Sequence, residues 1–272
     1  MIRMAGKLGR WEQRRLRKKT EEAKERGGVS ASLFLESEMN ALSDAECFFF
    51  YGSRVRPKAL LTVFFPDEER AEITVAEFAA DRASLKALFQ SAIKECGRVS
   101  VEQIYTVRDP ACGFDLKKAE GIRFYHEWSE YMLRIGMAEL AAAKPDCRKP
   151  VTELKKEEAP EEDGTVRYSL LCDGTEAAEC RILVMDGGRQ CYLFGLETKP
   201  EFRNKGMATG LMAKIAEEYA GKPGAVLRLQ VSSKNVPAER LYRKLGFVTE
   251  EEREYYRTEV SDGDQTDGSG CE

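Results

Sequence analysis

Residues 196–211 read LETKPEFRNKGMATGL, and the local structure that they predict organises the rest of the chain. The residues from 191 to 198 are rich in β-formers and too few for a helix, which predicts a strand. Pro200 ends this strand, and from Met207 to Tyr219 apolar residues recur at helical spacing until GKPG at 221–224 ends the helix. A strand therefore leads through a basic, glycine-bearing turn into a helix.

The turn itself, RNKGMA at 203–208, has the features of an anion-binding site. Gly206 allows the backbone to approach a ligand closely, and the first amides of the helix lack intrahelical partners at its positive end. Arg203 and Lys205 add positive charge, so we expect a pyrophosphate or similar anion. The alternative is a plain helix start with a solvated basic turn. The glycine spacing fits neither a dinucleotide fingerprint nor a P-loop, which argues against hydride transfer and nucleotide hydrolysis.

A second segment, AVLRLQVSSKNVPAERLYRKLGF at 225–247, follows this helix. Leu227, Leu229 and Val231 alternate with polar residues and predict another strand. Asn235 is a suitable helix N-cap with Pro237 in the first turn, and Gly246 is placed to end the helix. The C-terminal half therefore contains two strand-to-helix units in succession.

Together the two segments resemble the GNAT superfamily of acyl-CoA-dependent N-acyltransferases, over about residues 168–256. One motif is R-x-x-G-x-G/A, present as Arg203, Gly206 and Ala208. The other is N-x-x-A-x-x-L-Y-x-x-x-G-F, formed by Asn235, Ala238, Leu241, Tyr242, Gly246 and Phe247. The resemblance implies an α/β (α+β) fold, the acyl-CoA N-acyltransferase fold, with a mixed, mostly antiparallel sheet flanked by helices.

The resemblance also implies roles for individual residues. The backbone of Leu196, Glu197 and Thr198 would pair with the pantetheine arm of acetyl-CoA. The pyrophosphate would lie on the turn formed by Arg203, Asn204, Lys205, Gly206, Met207, Ala208 and Thr209. Asn235 would lie near the pantetheine or acyl group, or act simply as a helix cap. Tyr242 would be the general acid for the departing thiolate, or else a residue packed on the sheet.

The function implied is transfer of an acetyl group from acetyl-CoA, as co-substrate, to a primary amine by direct attack. Glu197 and water are candidates for the base that takes the amine proton. The acceptor, a small molecule or a peptide amine, is not specified by the sequence, nor is the oligomeric state. The alternatives are a non-catalytic acyl-CoA-binding sensor or interaction module and an RNA-associated protein.

Composition limits the remaining classes. The chain has 272 residues, 42% of them hydrophobic, and a net charge of -4, which makes nucleic acid an improbable partner. The eight cysteines form no C-x-x-C pair and the one histidine is His126, so no metal is expected. Without a signal peptide or a run of transmembrane length, we expect a cytoplasmic protein with no membrane partner.

The N-terminal half begins with a basic helical arm at 1–30, expected to be solvated or to contact RNA, an acidic membrane or a partner helix. A short helix is predicted at 33–44 and three antiparallel strands between 47 and 75. A helix at 85–97, a strand at 99–107, a short helix at 109–118 and a segment at 122–135 follow.

This order of elements repeats that of the C-terminal half. The domain at 31–145 is therefore either a degenerate second acyltransferase-like copy or a generic α/β domain. Residues 78–85, FAADRASL, have no glycine at the turn, and Lys117 stands where the second half has Tyr242.

The two halves are joined by a predicted linker at 141–164, which is acidic, contains proline and lacks apolar periodicity. The predicted acetyltransferase domain spans 146–260, and the tail at 261–272 is expected to be disordered. Because the linker leaves little room for the first strand and the helices that precede the meander in the family, we expect the N-terminal half to supply a wall of the acceptor site.

Overall fold

A computed structural model describes residues 2–36, 40–79, 82–142, 152–158 and 164–260. The chain forms two compact units, the first from Met1–Ser129 with Glu252–Glu272 and the second from Glu130–Glu251. The predicted tail at 261–272 lies outside the described residues, as do parts of the predicted linker.

The first unit begins with a strand and a helix that precede an antiparallel meander. Its elements are β1 (Ile2–Ala5), α1 (Arg10–Lys24), β2 (Phe48–Gly52), β3 (Pro57–Phe64), β4 (Arg70–Glu77), α2 (Arg82–Arg98), β5 (Gln103–Arg108) and the first part of β6 (Ile122–Gly136). Strands β1 to β4 pair antiparallel in sequence order, and β5 is parallel to β4. Phe48, Phe49, Phe50 and Phe89 are fully buried in the core.

The second unit has the same order of meander, helix and parallel strand. Its elements are the rest of β6, α3 (Met137–Ala142), β7 (Thr152–Glu158), β8 (Thr165–Cys172), β9 (Thr175–Met185), β10 (Gln190–Thr198), α4 (Met207–Tyr219), β11 (Val226–Ser232), α5 (Val236–Lys244) and the start of β12 (Val248–Val260). Strands β7 to β10 are antiparallel neighbours, and β11 is parallel to β10. This is the predicted mixed sheet flanked by helices.

The last strand of each half contributes to both units. Residues 130–136 of β6 pair antiparallel with β11 in the second unit. In the first unit, residues 254–257 of β12 pair antiparallel with β5. The segment at 122–135, for which the sequence did not distinguish helix from strand, is therefore one continuous strand, and the unit boundary at residues 129 and 130 falls inside it.

The basic arm is folded onto the first unit. β1 pairs with β2, and α1 buries Leu16, Thr20 and Ala23. Its outer face keeps Arg10, Trp11 and other residues exposed.

The predicted helix at 33–44 is wrong, because the described residues 31–36 and 40–47 contain no helix. Their backbone and side chains bond to the end of β3 instead. The Ala41 amide donates to the Phe65 carbonyl at 2.9 Å, and the Asn40 Oδ1 accepts from the Phe65 amide at 2.7 Å. The Phe34 ring lies 4.0 Å from that of Phe64. Tertiary contacts therefore override a weak local pattern.

The single helix predicted at 109–118 is also wrong. Two 3-10 turns, Pro110–Cys112 and Leu116–Lys118, take its place. The side chains of Asp109 and Asp115 cap them by accepting from the amides of Ala111 and Lys117. Gly113 lies between the turns with φ 66°, a left-handed conformation that ends the first of them.

The predicted linker contains a strand, β7, which is a further correction. It pairs antiparallel with β8 along its whole length, from Thr152 opposite Cys172 to Glu158 opposite Val166. Only Leu154 packs against the hydrophobic core, and the charged residues around it form ion pairs such as Lys156 with Glu218. An edge strand needs few apolar residues, so its composition resembled that of a linker.

Candidate active site

Strands β10 and β11 separate partway along their length. Their parallel register runs from Gln190 opposite Val226 to Leu193 opposite Leu229. Beyond that point β10 stays paired with β9 as far as Thr198, while β11 stays paired with β6 as far as Ser232. The carboxyl-terminal halves of the two strands therefore border a gap, because β10 is not paired with β11 beyond Leu193.

A bulge in β10 lies at the start of this gap. The register with β9 shifts between Phe194, opposite Arg181, and Glu197, opposite Glu179. Gly195 lies inside the shift with φ 62° and is exposed. Bulges release backbone groups from the ladder and change the direction of the strand.

The turn after β10 has the conformation that an anion site requires. A 3-10 turn at Pro200–Phe202 leads to Asn204, at φ 57°, and to Gly206, at φ 81°, which caps α4. The amides of the first turn of α4 have no partner within the helix and favour an anion. Met207 is buried, so the start of the helix is anchored in the core.

The two basic side chains of this turn are exposed and lie against it. The Arg203 Nε donates to the Thr198 carbonyl at 3.1 Å. The Lys205 ammonium donates to the Glu201 carbonyl and lies 5.7 Å from the centroid of the Phe202 ring. Both charges are therefore held at the helix N-terminus, where they add to the field of the helix.

Two buried tyrosines and an exposed ion pair connect α4 to the sheet. The Tyr168 hydroxyl on β8 lies 2.9 Å from the Tyr219 hydroxyl and 2.9 Å from a Glu218 carboxylate oxygen. Lys156 on β7 pairs with the same carboxylate. Burial raises the pKa of both tyrosines, which keeps them protonated as donors. No sequence pattern predicts this network, because its members are distant along the chain.

Tyr242 lies on α5 with its side chain 6% exposed. The Asn235 Oδ1 caps this helix by accepting from the Ala238 amide at 3.3 Å. The Tyr242 ring lies 5.5 Å from that of Phe247. Burial raises the pKa of Tyr242 to about 12.

Tyr242 and Cys180 belong to one apolar core cluster. Cys180 lies on β9 between Glu179 and Arg181, the two residues whose partners on β10 border the bulge. The isolated Gly195 within an apolar strand was the sequence signal for that bulge.

The predicted site residues all belong to the second unit. Because β10 and β11 are parallel, their carboxyl ends meet at one edge of the sheet, and the predicted residues follow those ends. Leu196 lies within the register shift of β10, Glu197 and Thr198 lie after it, and the residues from Arg203 to Thr209 form the turn and the start of α4. Lys117, the counterpart predicted for Tyr242 in the first half, is exposed on a 3-10 turn.

Two cavities lie away from the gap between β10 and β11. One of about 750 Å³ in the first unit is lined by Arg108, Phe114, Lys117, Tyr256 and neighbouring residues. One of about 400 Å³ in the second unit lies near the beginning of β11, beside Arg134 and Val226. Neither contains a predicted residue of the cofactor site.

Within the described part of the chain, no group of three or more histidine, cysteine, aspartate or glutamate side chains is arranged to hold a metal ion. None of the helices in the described ranges is long and apolar enough to span a membrane.

A family model described as Acetyltransferase (GNAT) family matches residues 122–247. No curated protein matches the chain. Among solved structures, a tandem GNAT protein from the clavulanic acid biosynthesis pathway is 11% identical with a TM-score of 0.63, over 97% of this chain and 99% of that one.

Two further structures share the fold. A GCN5-related N-acetyltransferase from Sphaerobacter thermophilus is 12% identical with a TM-score of 0.57, over 97% of this chain and 96% of its own. An acetyltransferase of the GNAT family from Colwellia psychrerythraea is 12% identical with a TM-score of 0.52, over 94% of this chain and 99% of its own. At these identities the likeness concerns the fold.

Proposed function

Because residues 122–247 form a GNAT-family domain, we propose that this protein transfers an acetyl group from acetyl-CoA to a primary amine. The observation that carries the proposal is the separation of β10 from β11 after Leu193 and Leu229, which leaves a β10 edge leading to a left-handed glycine at the start of α4. An extended arm ending in a pyrophosphate matches this arrangement of a free strand edge followed by a helix N-terminus.

The donor would bind with its pantetheine arm along Leu196, Glu197 and Thr198. Its pyrophosphate would meet the amides at the start of α4, with Arg203 and Lys205 moving from their present carbonyl partners onto the phosphates. Both side chains are exposed, so this change of partner requires no rearrangement of the core. The thioester would then lie at the bulge, and the proposed chemistry requires the Tyr242 hydroxyl to reach its sulfur there.

The chemistry is direct attack of a neutral amine nitrogen on the thioester carbonyl carbon. A C–N bond forms and the C–S bond breaks, and the backbone near Gly195 stabilises the developing oxyanion. Tyr242 gives its proton to the departing sulfur. The nitrogen loses one proton to Glu197 or water, so the net change is transfer of one proton from nitrogen to sulfur.

The raised pKa of Tyr242 is consistent with this role. A group whose pKa is about 12 is fully protonated at neutral pH and serves as a hydrogen-bond donor. Glu179, the Cα partner of Glu197, is less suited to act as the base. It pairs with Arg167, whose hydrogen bond holds the pKa of Glu179 below its usual range.

The test is calorimetric titration with acetyl-CoA of the intact protein and of the double variant Arg203→Glu, Gly206→Glu. Loss of charge-assisted phosphate bonds of about 1.5–3 kcal/mol should weaken binding by roughly tenfold to a hundredfold or more. The matched control is Arg189→Glu, Gly221→Glu, which makes the same changes at exposed positions of the second unit and should bind normally.

Titration is followed by measurement of thiol release with a panel of small amines and peptides. Binding together with amine-dependent thiol release supports the transferase. Binding without release from any amine supports the acyl-CoA sensor instead. Absence of binding by the intact protein contradicts both.

A further inference from the structure

In the first unit, the gap between the parallel strands contains a segment of the chain itself. The register of β4 with β5 runs only from Arg70 opposite Gln103 to Ile73 opposite Thr106, although β4 continues to Glu77 and β5 to Arg108. Val29, just after α1, forms an antiparallel bridge with Ala76 of β4 and a parallel bridge with Gly113 beyond β5. We call residues 28–30 the internal segment.

Hydrogen bonds join the internal segment to both sides of the gap. The Ser30 amide donates to the Val75 carbonyl at 2.9 Å, and the Glu77 amide donates to the Gly28 carbonyl at 2.7 Å. The Val75 amide donates to the Ser30 hydroxyl at 3.0 Å. On the other side, the Asp109 amide donates to the Ser30 carbonyl at 2.6 Å. The edge of β4 that borders the gap is therefore satisfied by the chain.

The internal segment also packs against α1 and β4. Val29 is 1% exposed and lies in one apolar cluster with Ala23 of α1 and Ala76. The Gly28 amide donates to the Ala23 carbonyl at 2.9 Å, which ties the segment to the end of the helix. A Cβ on Gly28 would lie 2.8 Å from the Glu77 carbonyl oxygen and 3.1 Å from that of Ala23, so glycine is required there.

The corresponding gap in the second unit differs. Among the described residues, the isolated bridges are those of Val29, and none lies between β10 and β11. Two gaps of the same topology therefore differ: residues 28–30 bridge the first, and no isolated bridge of the described residues spans the second.

We propose that the internal segment permanently occupies the cleft of the first unit, in the position that the extended arm of an acyl-CoA would take there. The chain consequently binds one acyl-CoA, in the second unit. The location of that single site rests on the proposed function. The occupation of the first cleft rests only on the hydrogen bonds and packing of the internal segment. The first unit then serves a role other than binding a second donor molecule.

Two measurements on the intact protein test the inference. Calorimetry with acetyl-CoA should give a stoichiometry of one. Amide hydrogen exchange should show slow exchange at Val75, Glu77 and Asp109 without ligand, unchanged when acetyl-CoA saturates the protein. A stoichiometry of two, or slowing of exchange at Val75 and Glu77 by acetyl-CoA, would overturn it.

Variants of the internal segment test whether it is the segment that protects these amides. Ser30→Ala removes the acceptor of the Val75 amide and should accelerate exchange at Val75. Gly28→Ala should displace the whole segment and accelerate exchange at Glu77 and Asp109 as well. The control is Gly97→Ala, at an exposed site on α2 where a Cβ meets no atom within 4 Å, and it should leave all three amides protected.

The outcomes separate the two proposals. If the intact protein binds no acetyl-CoA, the proposed function fails, and the exchange rates at Val75, Glu77 and Asp109 alone decide whether the cleft is filled. If those amides exchange rapidly in the intact protein, or are unaffected by Gly28→Ala, the internal segment is not the occupant.

Discussion

Replacing Tyr242 by phenylalanine removes one hydroxyl from a buried ring and is the sharpest test of the proposed chemistry. The ring keeps its contact with Phe247, at a centroid distance of 5.5 Å, and the core around α5 is otherwise unchanged. Because no volume is lost, we expect the free energy of unfolding to change by no more than about 1 kcal/mol. Any large change in turnover is then a chemical effect.

The magnitude follows from the role. A positioned general acid typically contributes about 10²- to 10⁴-fold to the rate, equivalent to roughly 3–5 kcal/mol of barrier. We expect the turnover number of Tyr242→Phe to fall by that factor. The dissociation constant for acetyl-CoA should stay within about twofold of that of the parent protein, since the proposed binding contacts come from β10 and the α4 turn.

The assay is thiol release at saturating acetyl-CoA and amine, with calorimetry for binding and thermal unfolding for stability. The matched control is Tyr51→Phe, which makes the same change at a partly buried tyrosine of β2 in the first unit. This variant should retain full turnover. Full turnover by Tyr242→Phe would refute the assignment. Loss of acetyl-CoA binding would instead show a binding or structural role.

The pH profile provides an independent check on the same residue. Burial raises the pKa of Tyr242 to about 12, and the protonated form is the acid. The fraction of active acid therefore stays near one up to about pH 11, so ionisation of Tyr242 should cause no loss of turnover between pH 7 and 10. A decline with an apparent pKa near 10 that disappears in Tyr242→Phe would contradict the burial argument.

Three other substitutions have expected outcomes measurable by thermal or denaturant unfolding. Gly206→Ala places a side chain at φ 81°, so it should destabilise the fold by roughly 1–2 kcal/mol and weaken acetyl-CoA binding. Unchanged affinity for acetyl-CoA would show that binding does not depend on the backbone conformation of this turn. Leu211→Ala, at a fully buried site of α4, should cost about 2–5 kcal/mol, whereas a cost below 1 kcal/mol would mean that the core is loosely packed there. Arg167→Gln should remove the stabilisation that comes from the lowered pKa of Glu179. This stabilisation is fully present above the pKa of the unfolded state, near 4.5, and is lost as the pH falls through the lower pKa of the folded state. The free energies of unfolding of the two proteins should therefore converge at acid pH. A difference that stays constant with pH would contradict this.

The turns and helix starts of the candidate site could be predicted from the sequence because their determinants are local. A left-handed glycine before α4 and a side-chain cap with a following proline before α5 are each encoded by neighbouring residues, and both occur where the sequence placed them. The end of β10 before Pro200 is likewise encoded by neighbouring residues. The order of elements in each half followed from these signals together with the apolar periodicity.

The features that the sequence did not reveal depend on distant partners. The residues around Asn40 looked helical, yet they bond to Phe65 at the end of β3. β7 has one apolar residue in contact with the core, and its strand conformation comes from pairing with β8. The bulge in β10 depends on its register with β9, which no motif spacing specifies. In each case the information lies in pairing across the sheet.

The comparison of the two clefts supports the assignment of the ligand site. A strand edge bordering a gap has backbone amides and carbonyls that lose free energy if they are left without partners. In the first unit Gly28 and Ser30 provide those partners, and the gap is closed. In the second unit the same topology retains an exposed bulge at Gly195, and β10 is not paired with β11 beyond Leu193. Since the fold is able to close such a gap with its own chain, we propose that the gap in the second unit is where a ligand with an extended, hydrogen-bonding arm binds.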